Sequence, residues 1–402
     1  MHQEDQFRRL ADQLTPDQRG GAIRYLRQLD RRERIARRVE ARNRRSLRSA
    51  VIWSILTLVA FFATEAAIFR SGFYLRYLEP DSSAGTVESY LHWLHRDQPS
   101  GHPEIMVMGD SRIAEGFSAR AASKAQGQFR FWNFGIGGTS PRDWYYMLRD
   151  ADPDRHRFAA IVIGLDHYAD RDAGDDLSNR LLDENYLIGR LRLSDCPEFS
   201  RSFGDVTLRY AIWRGCILKG IALRRDVQEF LINRKDRLKR SRDYLDHGLG
   251  YIDGYGGKTE SLDGLSVDWE TRAITFPPDT KDWQRNSVKA SLTPDPFPQS
   301  GTMTRYRQAW FGKILSRYAG SGTRIILLEN PRGPLPTSDA GMPATFIGSI
   351  RNTPGVTILS DQTFRDLEQP TLFADGAHLN QAGRPIYSER LAGKVSLILA
   401  GR

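Results

Sequence analysis

Cysteine is nearly absent from this chain of 402 residues, which contains only Cys196 and Cys216. The sequence has no Cys-x-x-Cys pair and no cluster of Cys and His, so we expect neither a metal site nor a cofactor. In an oxidising compartment the two cysteines could form one disulfide, and otherwise they would remain two buried thiols. The sequence leaves both possibilities open, because it does not give the distance between them.

Excess basic charge is missing from most of the chain. Residues 1–49 hold 14 Arg and 7 Asp or Glu, whereas residues 50–402 hold 44 basic and 42 acidic residues. A nucleic-acid-binding domain needs Lys and Arg spread over a folded face. We therefore expect no nucleic-acid partner, and the basic residues instead end directly before an apolar stretch.

That stretch, residues 50–69, is the one long apolar run. Twenty helical residues at about 1.5 Å each span the core of a bilayer. The arginines before it orient the N-terminus toward the cytoplasm by the positive-inside rule. The basic region is too long for a cleaved signal peptide, so we predict an uncleaved anchor, with a buried core helix as the alternative.

The predicted organisation has four parts. Residues 1–48 form a basic cytoplasmic segment, helical from about residue 15, and residues 49–70 form a transmembrane helix. Residues 71–101 form a connector with a short helix at 87–94, and residues 102–402 form the folded domain. The bilayer is thus one expected partner, and the main domain lies outside the cytoplasm.

Short apolar runs alternate with helix-length segments from residue 104 onward. The runs are residues 105–108, 130–133, 159–163, 324–328 and 356–359. This alternation predicts parallel strands with crossover helices, hence a doubly wound α/β sheet whose ligands bind at the carboxyl ends of the strands. A long insertion, residues 171–300, begins with a helical, basic part at 206–245 and predicts a lid, a binding loop or a partner surface.

Two of these strand ends and one C-terminal segment carry candidate chemistry. Gly109-Asp110-Ser111 follows the first run, where a serine presents its hydroxyl at the sheet edge, although serine is also a common helix N-cap. A glycine-rich segment, residues 133–139, follows the second run and could equally be a flexible turn. Asp375 stands three residues before His378, close enough to hold Nδ1–H and leave Nε2 free to accept a proton, although a surface turn has the same spacing.

Taken in this order along the chain, these segments resemble the motifs of the SGNH, or GDSL, hydrolase superfamily. The resemblance covers residues 104–170 and 320–395, and it implies a flavodoxin-like three-layer fold. The site residues that it implies are Ser111 as nucleophile, His378 and Asp375 as relay partners, and Gly138, whose N–H joins that of Ser111 in an oxyanion hole.

The segment that follows the third apolar run departs from the family pattern. Asp166, followed by His167, stands where the family has an asparagine that donates to the oxyanion, and an ionised carboxylate there would oppose the developing charge. Asp166 could be protonated through burial, or point away while Asn133 or His167 supplies the donor, or leave the domain impaired. We favour the second account, because both residues stand at strand ends. His167 could also be purely structural, and Arg332 could either meet an anionic substrate group or face water.

The resemblance implies a serine esterase or O-acyltransferase that works through an acyl-serine intermediate. Anchored SGNH-like partners in alginate O-acetylation and teichoic-acid D-alanylation are similar in arrangement, and there a membrane-bound protein supplies the acyl group. We therefore expect a cell-envelope or secreted polysaccharide as substrate, a membrane-bound O-acyltransferase as a candidate partner, and a bacterial inner-membrane location with the main domain periplasmic or extracellular. The alternatives are a non-catalytic accessory protein that binds glycan or a membrane partner, and a lipase.

Overall fold

The computed structural model describes Arg9, Gln13 and residues 15–97, 101–169, 180–292, 302–337 and 344–401. Parts of the predicted basic segment, connector and insertion therefore lie outside the described residues. The chain divides into two compact units, Met1–Ala67 and Ile68–Arg402. Each unit is described by itself.

The first unit is dominated by one helix, α1, which spans Pro16–Glu65. Thr15 caps its N-terminus in a reciprocal capping box with Gln18, and proline follows at the first helical position, where its missing N–H costs nothing. A π-helical turn at Ala66–Arg70 continues it. The helix is long and apolar enough to cross a membrane, in agreement with the predicted span at 49–70.

The second unit contains seven described strands. They are β1 (Glu104–Gly109), β2 (Arg130–Gly135), β3 (Phe158–Leu165), β4 (Ser266–Asp268), β5 (Ala273–Thr275), β6 (Arg324–Glu329) and β7 (Val356–Ile358). Five of them form a parallel sheet in the order β2-β1-β3-β6-β7. The predicted parallel α/β sheet and all five of its strands are confirmed. Strands β4 and β5 form a separate antiparallel pair that the sequence pattern did not predict.

Fourteen described α-helices surround the sheet or belong to the insertion. They are α2 (Ser83–Arg96), α3 (Ser111–Gly116), α4 (Ala119–Ala125), α5 (Pro141–Ala151), α6 (Leu181–Leu187), α7 (Cys196–Arg201), α8 (Val206–Ile217), α9 (Lys219–Ala222), α10 (Arg224–Ile232), α11 (Arg234–Gly254), α12 (Asp282–Leu292), α13 (Thr302–Tyr318), α14 (Thr345–Ile350) and α15 (Gly383–Ala400). The expected helix at 87–94 is confirmed as part of α2.

Alternation along β1 explains why the sheet carries a hydrophobic core on each face. Met106 and Met108 enter one core cluster, whereas Ile105 and Val107 enter the other, because successive side chains of a strand point to opposite faces. All four are fully buried, and burying an apolar side chain of this size stabilises a fold by about 1.5–3 kcal/mol. A strand buried on both faces reads as a continuous apolar run, which is the pattern that the sequence presents.

The insertion is folded against the rest of the second unit. The helical stretch expected at 206–245 is confirmed, and it consists of four helices because the chain leaves helical geometry at Leu218, Leu223 and Asn233. Leu223 packs beside the connector in a third hydrophobic cluster, so tertiary packing overrides the local helical pattern. Cys196 and Cys216, which the sequence left as bonded or free, form a disulfide between α7 and α8.

Candidate active site

Ser111 is the first residue of α3 and directly follows the carboxyl end of β1. Asp110 caps this helix, because its Oδ1 accepts a hydrogen bond from the N–H of Arg112 at 2.9 Å. His378 lies in the segment before α15, where its carbonyl accepts a hydrogen bond from the N–H of Ala374. The two segments are 267 positions apart in sequence, and the fold brings them together at one edge of the sheet.

Ser111, His378 and Asp375 form a continuous hydrogen-bonded chain. Oγ of Ser111 lies 2.8 Å from Nε2 of His378, and Nδ1 of His378 lies 2.9 Å from each carboxylate oxygen of Asp375. An imidazole held by a carboxylate on one nitrogen can take the hydroxyl proton on the other while the oxygen attacks an electrophile. The arrangement is therefore suited to nucleophilic catalysis.

Asp375 is a buried carboxylate that has three further hydrogen-bond donors besides Nδ1 of His378. The backbone N–H groups of Ala377 and His378 donate to Oδ1 at 2.9 and 3.0 Å, and Nζ of Lys258 lies 3.1 Å from Oδ2. Burial alone would raise the pKa of Asp375, but the imidazole, these N–H groups and Lys258 outweigh it and hold that pKa well below its usual range. Lys258 belongs to the insertion, so neither the motif nor its spacing could indicate it.

The glycine-rich segment after β2 ends in a tight turn. The N–H of Thr139 donates to the carbonyl of Ile136 at 3.2 Å, and Gly138 has a φ of 77° at the third position of this turn. A type II turn requires that left-handed conformation, which glycine adopts without strain. A Cβ atom placed on Gly137 would lie 3.5 Å from Cβ of Ser111, so the turn adjoins the serine.

Two backbone N–H groups at this place are free to bind an oxyanion. Among the described residues, no acceptor takes a hydrogen bond from the N–H of Ser111 or from that of Gly138. Ser111 and Gly138 are half-buried, and the N–H of Ser111 has no partner within α3 because this residue is the first of the helix, so a ligand can reach both groups. They are the pair that the sequence predicted for the oxyanion hole.

Asn133, the third predicted oxyanion residue, forms hydrogen bonds with the backbone. Its amide nitrogen donates to the carbonyl of Phe117 at 2.7 Å and lies 3.3 Å from those of Ile113 and Ala114, while its oxygen accepts from the N–H of Gly135. The side chain thus ties β2 to the segment around α3. The prediction that Asn133 donates to the oxyanion is wrong, because its amide hydrogens already have backbone acceptors.

Asp166 is held by an arginine that the sequence reading did not identify. Nη2 of Arg307 lies 2.8 Å from Oδ1 of Asp166, and the same guanidinium donates to the carbonyl of His167 at 3.1 Å. The Asp166 side chain is 40% exposed, whereas that of Arg307 is 4% exposed. Arg307 lies on α13, outside the segments that carry the family resemblance, and nothing in its sequence context marks it.

The surroundings of Asp166 argue against the account in which it is protonated through burial. Burial would raise the pKa of Asp166, but His167, Arg307 and Arg112 outweigh it and lower that pKa well below the usual range. The ion pair with Arg307 at 2.8 Å likewise favours the ionised carboxylate.

The remaining candidates have local partners. The imidazole Nε2 of His167 lies 3.7 Å from Oδ2 of Asp166, and the side chain is mostly buried. Arg332 is mostly buried and forms an ion pair with Glu329, so it does not face water as one reading expected. In the part of the chain that the structure describes, no group of three or more Cys, His, Asp or Glu side chains could hold a metal ion.

Comparisons with known proteins do not assign the chain to a family. No protein-family model matches the sequence, and no curated protein matches it either.

Proposed function

We propose that this chain is a serine acyl-transfer enzyme of the SGNH type, either an esterase or an O-acyltransferase. The observation that carries the proposal is the hydrogen-bonded chain from Ser111 through His378 to Asp375. The strand order β2-β1-β3-β6-β7, with a core on each face, is that of the flavodoxin-like doubly wound fold and supports the same assignment.

The proposed reaction has two halves. Oγ of Ser111 attacks the ester carbonyl as its proton moves to Nε2 of His378, and the carbonyl electrons move to the oxygen beside the N–H groups of Ser111 and Gly138. Collapse of this tetrahedral intermediate breaks the ester bond, and the leaving alcohol takes the proton from His378. The acyl-serine then reacts with water in an esterase, or with a sugar hydroxyl in a transferase, through the same proton path.

Asp166 lowers the expected rate. Removal of one oxyanion donor in a serine hydrolase costs about 10²–10³ in kcat, and here a carboxylate occupies the position of an amide donor. Pairing with Arg307 directs Oδ1 of Asp166 to a cation, which limits the opposition to the oxyanion. We therefore propose a slow enzyme whose oxyanion hole has two backbone donors.

The proposed setting is the outer side of a bacterial inner membrane, with α1 as the anchor. The arginine-rich stretch before the apolar run supports a cytoplasmic N-terminus, and the disulfide supports an oxidising compartment for the main unit. The substrate in this proposal is an acylated envelope or secreted polysaccharide. A membrane-bound O-acyltransferase is the proposed source of acyl groups.

A second candidate function is non-catalytic glycan or partner binding. The ionised Asp166 favours it, because a carboxylate at that position stabilises no oxyanion. The two candidates differ in one measurable property, which is turnover that depends on Ser111.

The test is hydrolysis of p-nitrophenyl acetate by the full chain in detergent. We expect turnover in the wild type and its loss in Ser111→Ala, while Ser316→Ala, at an exposed position on α13, behaves like the wild type. Equal activity in Ser111→Ala and in the wild type would refute the proposal. Folded protein without any turnover would favour the binding function.

A further inference from the structure

The peptide that joins Gly137 to Gly138 has two accessible orientations. Type I and type II turns of the same four residues differ mainly by a flip of the central peptide, and glycine tolerates either geometry. In the present orientation the N–H of Gly138 has no acceptor among the described residues. A flip would present the carbonyl of Gly137 there instead, which would repel an oxyanion.

Two side chains from the insertion hold this turn, Tyr186 on the Gly137–Gly138 peptide itself and Arg180 on the peptide that follows it. The hydroxyl of Tyr186 donates to the carbonyl of Gly137, and Nη2 of Arg180 donates to the carbonyl of Gly138 at 2.6 Å. The peptide is trans, so a carbonyl directed toward Tyr186 places the N–H of Gly138 on the opposite side. A Cβ atom on Gly138 would lie 2.9 Å from the Tyr186 oxygen, so tyrosine and turn are in close contact.

The helix that carries these side chains is itself fixed beside the turn. Arg180 is the N-cap of α6 and Tyr186 lies within it. Asp183, on the same helix, is fully buried, accepts a hydrogen bond from Oγ of Ser140 at 3.0 Å and pairs with Arg142. Ser140 directly follows the turn. The helix is therefore joined to the turn itself by Arg180 and Tyr186, and to the residue after it by Asp183.

We infer that Tyr186, which bonds the oxyanion peptide directly, and Arg180, which bonds the next peptide of the same turn, are positioning residues that keep the oxyanion peptide in its productive orientation. The inference rests on the proposed function, and it gives the start of the insertion a role in catalysis. Both side chains bond the turn rather than Ser111, so their effect acts through the turn. Loss of both hydrogen bonds allows the flipped turn to compete with the productive one.

The experiment compares Tyr186→Phe, Arg180→Gln and the double variant with Tyr210→Phe and Arg201→Gln, two exposed controls in the insertion. With p-nitrophenyl acetate and the full chain in detergent, we expect kcat to fall at least tenfold in the double variant while KM stays within about twofold. The dissociation constant of phenylboronic acid, which forms a tetrahedral serine adduct, should rise by the factor by which kcat/KM falls. A purely structural role would not produce that proportionality.

Arg180→Lys keeps a cationic donor and should recover part of the loss seen in Arg180→Gln, and it serves as the second variant if glutamine impairs folding. Unchanged kcat and boronate affinity in the double variant would overturn the inference and leave the proposed function intact. A wild type without Ser111-dependent turnover would overturn both.

Discussion

Asp375 favours one tautomer of His378, because its carboxylate accepts a hydrogen bond from Nδ1–H and so leaves Nε2 unprotonated toward Ser111; in the proposed function Nε2 then acts as the base. In Asp375→Asn the amide can donate to Nδ1 and so favours the tautomer with a proton on Nε2, facing Ser111. We expect kcat to fall by about 10⁴, with the fold retained because the asparagine oxygen still accepts from backbone N–H groups. Steady-state kinetics with circular dichroism measures both, and a loss under tenfold would contradict this role.

Lys258 places a positive charge 3.1 Å from Oδ2 of Asp375. That charge helps to hold the pKa of Asp375 below its usual range, so its removal raises that pKa. In Lys258→Gln we expect the free energy of unfolding at neutral pH to fall by less than about 1 kcal/mol, since the lysine is partly exposed, and the difference to shrink as pH falls through the acid range. Lys281→Gln, at an exposed ion pair in the same insertion, is the control, and a difference that stays constant with pH would be inconsistent with this origin.

At the scale of residues, the sequence predicted that Ser111, Asp375 and His378 come within hydrogen-bond reach, and the structure brings them together. Ser111 follows the carboxyl end of β1, and the segment before α15 carries the other two residues to the same edge of the sheet. The prediction for Asn133 was wrong. Its amide group suggested a donor to the oxyanion, but its hydrogen-bond acceptors are backbone carbonyls that no sequence pattern specifies. Arg307 and Lys258 were missed because their contacts join distant segments.

Helix α6 contains a buried carboxyl group, Glu184, that makes the stability of the fold depend on pH. Glu184 is 6% exposed, and its Oε1 has no hydrogen-bond partner among the described residues. Burial raises its pKa from 4.5 to about 7, partly offset by Arg214. The folded state therefore keeps a proton that the unfolded state loses, and stability falls as pH rises from about 4.5 to about 7.

Glu184→Gln should remove that dependence. We expect the free energy of unfolding at pH 8 to rise by up to about 3 kcal/mol relative to the wild type, and the difference to shrink toward pH 5. Thermal unfolding of both chains from pH 5 to 8 measures this, with Glu270→Gln at an exposed position as control. A constant difference across that range would rule out titration of Glu184 as the cause.

The disulfide links α7 to α8 and closes a loop with a sequence separation of 20. A cross-link of this loop length stabilises a fold by about 3 kcal/mol, mainly by restricting the unfolded chain. We expect the double variant Cys196→Ser, Cys216→Ser to unfold at lower temperature, and reductant to lower the wild type to the same value without affecting the variant. An effect of reductant on the variant would show that the two cysteines are not its target.

At the scale of elements, the sheet was predictable and the insertion was not. Strands such as β1 are apolar on both faces, which gives a strong signal in short runs. Within the helical part of the insertion, the helix boundary at Leu223 packs on the connector, and the β4–β5 pair is only three residues per strand. Neither feature produces a periodic pattern long enough to recognise.

The whole molecule combines a membrane-capable helix with an α/β unit that carries one hydrogen-bonded serine site. The net charge of +9 is concentrated before the apolar run, and the remainder of the chain is nearly balanced. The proposed function requires that Ser111 becomes acylated.

The measurement that tests this claim most directly is the intact mass of the full chain, quenched in acid shortly after mixing with p-nitrophenyl acetate, followed by peptide mapping. We expect one acetyl group on the peptide that contains Ser111 in the wild type, and no acetyl group on the corresponding peptide of Ser111→Ala. A folded wild type that gains no acetyl group on that peptide, or a Ser111→Ala chain acetylated there to the same extent, would contradict it.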